Sequence, residues 1–126
     1  MIMDLGLIKN FTSAGAIAKY RIVATDATSG VVKQATTATD KIIGCTGVAG
    51  VDAADKRIDV CMDDIRAIEY GGDVEFGDLL TSDAQGRAVV AAPAAGANVR
   101  IVGTAMEDGA LGVIGKVHVI PSSLQG

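Results

Sequence analysis

The chain contains no tryptophan and only four aromatic residues, Phe11, Tyr20, Tyr70 and Phe76. It has one histidine, two cysteines and two prolines. Each scarcity excludes something. Large aromatic side chains bury roughly 150–250 Å² apiece at about 25 cal/mol per Å², so a core assembled mainly from Val, Ile and Ala is thin for a monomer. Scattered aromatics also leave no stacking platform for a single-stranded nucleic acid. The Lys and Arg residues form no cluster that could neutralise a run of phosphates, and the net charge is −4 with a pI near 4.7. Neither nucleic acid nor an anionic membrane surface is therefore an expected partner.

The stretch Met1-Ile2-Met3-Asp4-Leu5-Gly6-Leu7-Ile8 carries an early acid, no basic region and no long apolar run. Neither a secretory signal nor a transmembrane segment is expected, and synthesis in a cytoplasm-like compartment follows. Under those conditions Cys45 and Cys61, which lack metal-ligand spacing, are expected as buried, reduced thiols.

The residues also argue against catalysis. Acid/base and nucleophilic mechanisms need a base titrating near neutrality beside a nucleophile, and the one histidine is His118. Ala110 to Val117 superficially suggests a phosphate loop. Ala110 stands where the leading glycine belongs, however, and Val117 where Ser or Thr would bind a metal ion. Asp52, Asp55, Asp63, Asp64, Asp73, Glu75 and Asp78 lack the spacing of a calcium loop. No catalytic residue, cofactor or metal is expected.

What the chain does contain is an internal repeat. Gly15 to Ala27 matches Gly72 to Ala84 at an offset of 57, and Gly30 matches Gly86 after a one-residue deletion. Lys41-Ile42-Ile43-Gly44-Cys45 matches Arg100-Ile101-Val102-Gly103-Thr104, and Arg57 to Val60 matches Lys116 to Val119, both at an offset of 59. The unit spans about 15–61 and 72–120. Each copy reads as two hairpins. Asp26…Gly30 and Asp83…Gly86 form the first turns, since Asp caps turn amides and Gly accepts positive φ. Ile58-Asp59-Val60 and Val117-His118-Val119 alternate with period two, so the aliphatics face a core while Asp59 and His118 face water. Gly44 and Gly103, at equivalent strand positions, suggest a bulge or bend where a sheet curls toward closure. Asp63 to Gly72 reads as a linking strand; Val51–Lys56 and Met106–Ile114 read as loops. No segment sustains a helical period. At 126 residues the expected fold is a single all-β, barrel-like domain over 15–126, built from two similar tandem halves, with residues 1–14 as an N-terminal arm.

The run Gly77-Asp78-Leu79-Leu80-Thr81-Ser82-Asp83-Ala84-Gln85-Gly86-Arg87-Ala88-Val89, followed by Arg100 to Met106 and Gly115 to Val119, resembles the cement (decoration) proteins of tailed-bacteriophage capsids. The resemblance covers the chain from about Ala14 onward. It implies a compact β-barrel or β-tulip domain, a homotrimer, and a place on the capsid exterior of a virion. The implied partner is the major capsid protein, with no cofactor. A small β-barrel ligand-binding or carrier module is the competing class. The biotinyl type would present a lysine on a tight Met-Lys turn, which does not occur here. The arm carries Ile2, Leu5, Leu7, Ile8 and Phe11. These are expected to contact the capsid by adding a strand to a neighbouring sheet edge, the alternative being that the arm pairs with its own barrel.

Overall fold

The computed structural model describes residues 7–126, and every regular element among them is a strand. In chain order they are β1 (Ile8–Ser13), β2 (Ile22–Thr25), β3 (Val31–Gln34), β4 (Ile42–Cys45), β5 (Arg57–Cys61), β6 (Ile65–Glu69), β7 (Leu79–Ser82), β8 (Ala88–Val90), β9 (Asn98–Ala105) and β10 (Ile114–Gln125). The first five close into a barrel in the order β1-β3-β2-β4-β5. The last five form a sheet in the order β6-β10-β9-β7-β8.

Those two orders are the same order. With β6 in the place of β1, β7 of β2, β8 of β3, β9 of β4 and β10 of β5, every neighbour relation is preserved, including the closing one. The first half closes through the parallel pairs Thr12–Val31 and Ser13–Val32, the second through the single parallel bridge Tyr70–Ala88. The repeat therefore starts earlier than expected. Residues 8–13 are not an arm outside the duplication but its first strand, because only β1 can join β5 to β3; Phe11 stands opposite Ile58 and Thr12 opposite Arg57. Asp63–Gly72 likewise holds the first strand of the second copy. A second expectation also changes: the closed barrel forms within the first half, not across both.

Interior positions repeat residue by residue. Ile17, Val23, Val32, Ile58 and Val60 form the core of the first barrel, with Phe11, Ile43, Val51 and Met62 packed on it. Their counterparts Val74, Leu80, Ala88, Val117 and Val119, together with Val102 for Ile43, line the second half. The outer faces do not repeat. Ile22, Ala24, Ile42 and Cys45, on the outside of β2 and β4, join the interior of the second half in one apolar cluster. Both faces of these two strands are buried, which is why Ile22-Val23-Ala24 and Ile42-Ile43 show no alternation. β5, with one wet face, alternates as its sequence predicts.

Polar contacts reinforce the junction. Arg21 pairs with Glu69 at 2.9 Å and donates from Nε to the Gln85 carbonyl; Gln34 donates to the same carbonyl. Arg87 is held by Asp83 at 2.9 Å and approaches Glu69 at 3.9 Å. Backbone bonds from Ile22 to Gly86, Glu69 to Tyr20 and Arg100 to Ala38 tie the halves directly.

A core of small aliphatics requires backbones to approach closely. A Cβ at Gly44 would lie 2.2 Å from the Cys61 carbonyl oxygen, and one at Gly103 would lie 2.0 Å from that of His118. The β2–β4 register slips beside Gly44, the bulge expected there. The repeat also conserves backbone shape where the residue differs: Tyr20 (φ 56°) and its counterpart Gly77 (φ 96°) are both left-handed.

Gly44→Ala and Gly103→Ala are each expected to destabilise the protein by about 3 kcal/mol or to prevent folding. Gly47→Ala, where an added Cβ meets nothing within 4 Å, should change stability by less than about 0.5 kcal/mol. Urea midpoints of the three variants measure the difference.

Candidate interaction surfaces

The apolar side chains expected at the arm differ in burial. Phe11 faces the first barrel's interior and is partly buried there, which removes it from any outer contact surface. Leu7 and Ile8 are exposed, at 54% and 44%. The Leu7 amide donates to the Asp63 carboxylate. Ile2 and Leu5 lie outside the described residues. Ile8 borders a groove of about 340 Å³ between the outer side of β1 and β5 and the Gly47–Val51 loop. Val48, Ala49 and Val51 supply its apolar wall; Asn10, hydrogen-bonded to Asp59 at 3.0 Å, and Arg57 supply its polar edge.

A second exposed apolar region covers the outside of the second half. Cross-strand register sets Ile65, His118, Thr104 and Leu79 in one row over β6, β10, β9 and β7. Ile65 is 52% exposed and Leu79 41%. His118 is thus an outward-facing sheet residue, as the alternation around it predicts. In the first half the counterparts of Leu79 and Thr104, Ile22 and Cys45, are buried against the second half.

Cys45 and Cys61 are free and buried, and stand directly opposite one another across β4 and β5. The hydrogen bond between their sulfurs raises the Cys45 pKa, and burial adds to it. The same bond, assisted by Arg66, lowers that of Cys61. Among the described residues no group of three His, Cys, Asp or Glu side chains is placed to hold a metal ion.

The ends of the two half-barrels are equivalent in topology and opposite in character. In the first, the Ile17–Val51 bridge ties the segment before β2 to the β4–β5 loop; in the second, the Val74–Gly109 bridge does the same before β7. The first end is concave, opening on the groove. The second projects Phe76, which is 69% exposed although the chain has few aromatics to spare. The Phe76 amide donates to Asp108 Oδ1 at 2.8 Å and the Glu75 amide to Asp78 Oδ2 at 2.9 Å, so the turn is pinned at two points. Charge divides in the same sense. Residues 1–62 hold seven Lys or Arg against six Asp or Glu, and residues 63–126 four against nine.

Tyr70 holds the loop that carries Asp108. Its ring is fully buried against Gly109 and Gly115, where a Cβ would overlap it, and its hydroxyl donates to the Lys116 carbonyl at 2.8 Å. Burial, and then the charges of Glu107 and Asp108, push its pKa up to about 12.

No family model matches the sequence, and no curated protein matches it. Strand order and the two unlike ends define a small all-β protein of duplicated half-barrels. This fold is similar to the crystal structure of the head fiber gp8.5 N base in bacteriophage phi29, with a TM-score of 0.68, 21% sequence identity, and coverage of 95% of this chain and 100% of that one.

Because the Tyr70 pKa is raised in the folded state, its contribution to stability is full below about pH 10, the unfolded value, and is lost as pH rises toward about 12. Tyr70→Phe is expected to cost about 1 kcal/mol at neutral pH through the lost hydroxyl bond. The gap from wild type should narrow between those two pH values in paired denaturation series.

Proposed function

We propose that this chain is a structural protein of a phage head, binding the exterior of the assembled capsid through the major capsid protein and stabilising it. The observation that carries the reading is the fold match, which spans the whole of a head fiber base and nearly the whole of this chain. The hairpin and strand motifs of the second half support it independently through their resemblance to capsid cement proteins. The proposed role is mechanical: no acid/base pair, cofactor or metal takes part. It is carried out by a homotrimer, since an aromatic-poor core and exposed apolar strands gain from being covered.

In this reading the N-terminal contact narrows to residues ahead of the barrel. Ile2 and Leu5, with Leu7 just before β1, reach the capsid, while Ile8 borders the groove and Phe11 stays with its own core.

The test is co-sedimentation with capsids purified without this protein. Saturable binding is expected, together with a higher temperature of capsid disruption; protein that remains in the supernatant at concentrations of about 10 μM, well above a typical specific Kd, would refute the reading. Deleting Met1–Gly6 leaves every described strand in place and is expected to weaken that binding. Undiminished binding would exclude Ile2 and Leu5 as contacts.

A further inference from the structure

We propose that copies of this chain associate head to tail, with the Phe76 turn of one seated in the groove beside Ile8, Val48 and Val51 of the next. The inference rests on the trimeric form proposed above and assigns its interface. Three observations on the two half-barrel ends carry it.

The first is relief. Glu75-Phe76-Gly77-Asp78 is the repeat counterpart of Ala18-Lys19-Tyr20-Arg21, so knob and groove are the same end of the same fold, altered after duplication in opposite directions. One end gained an exposed phenyl ring, 69% accessible; the other keeps a hollow of about 340 Å³ with an apolar wall.

The second is rigidity. A turn whose backbone is fixed by hydrogen bonds from the Phe76 and Glu75 amides loses little backbone freedom on docking and leaves only the ring's two χ angles to order, and aromatic anchors dominate binding energy at interfaces. Gly77 N–H to the Ala105 carbonyl and Asp78 N–H to the Glu75 carbonyl complete the bracing of this turn.

The third is charge. The Phe76 turn and the loop it is hydrogen-bonded to carry Asp73, Glu75, Asp78, Glu107 and Asp108, with Lys116 the one basic residue tied to them, through its amide to Glu107. A symmetric contact between two such ends would oppose ten carboxylates. At the groove end Arg57 and Asp59 line the groove, Lys56 and Asp52 line the hollow beside it, and Lys19 and Asp55 flank those segments in sequence, so the charges balance and unlike ends meet without that repulsion. Contact between unlike surfaces is heterologous, and a heterologous contact that closes makes a ring.

Phe76→Ala and Val48→Asp alter exposed side chains, one on each partner surface. Sedimentation velocity at about 10 μM, a concentration that populates contacts of micromolar affinity, is expected to show an oligomer for wild type. Each variant alone should be a monomer, with self-association weakened at least about tenfold. An equimolar mixture should give heterodimers and nothing larger, because the intact groove of Phe76→Ala accepts the intact knob of Val48→Asp. A monomeric wild type, a variant that keeps the wild-type oligomer, or a mixture that stays monomeric would each overturn the proposal. So would a Phe76→Ala protein that remains oligomeric but loses capsid co-sedimentation, which would make the turn a capsid contact. Capsid binding retained by the monomeric variants leaves the structural role standing apart from this interface.

Discussion

The shared apolar cluster is the contact on which the rest of the molecule depends. Ile22, Ala24, Ile42 and Cys45 lie on the outside of a closed barrel and would be wet if that barrel stood alone; here they merge with the interior of the second half. The second half needs them as much, since its own sheet is drawn together by one bridge at Tyr70 and Ala88. Neither half hides its apolar surface unaided. A core with so few aromatics reaches adequate burial by running through the first barrel's outer face into the second half, with glycines at 44 and 103 allowing the strands to approach closely.

Duplication followed by divergence accounts for the unlike surfaces. The interior pairs Val23 and Leu80, Val60 and Val119, and Ile58 and Val117 changed little because each half must still fill its barrel. Outside, the constraint is lifted wherever the partner half does not sit. The row Ile65, His118, Thr104 and Leu79 is left uncovered, one barrel end has accumulated acids around Phe76, and the other has kept a groove. The proposed attachment to a capsid lattice would use such asymmetry, with separate faces for the shell and for further copies of the chain.

Much of this was legible in the sequence, and the failures are physical ones. Both hairpins of each copy and the paired glycines followed from turn chemistry and period-two alternation. The strand expected in Asp63 to Gly72 is present, but neither it nor residues 8–13 was recognised as the first strand of a copy, although Ile8-Lys9-Asn10-Phe11 and Ile65-Arg66-Ala67-Ile68 share an offset of 57. The signal is weak because Ser13 and Tyr70, unlike in size, fill the same position. Each nonetheless ties down the β4–β5 or β9–β10 connection through a hydroxyl, Ser13 to the Ala53 carbonyl and Tyr70 to those of Glu107 and, in β10, Lys116. The burial of both faces of β2 and β4 was not legible, since an apolar run does not say what covers its second side. Nothing in the sequence singles out Phe76, which the fold places exposed at a braced turn.

Electron cryomicroscopy of capsids with and without the protein decides whether it coats the shell. Added density is expected on the outer surface, in two-lobed subunits each of which touches capsid protein. Shells with identical outer surfaces, or added density confined to the interior, would contradict the proposed attachment.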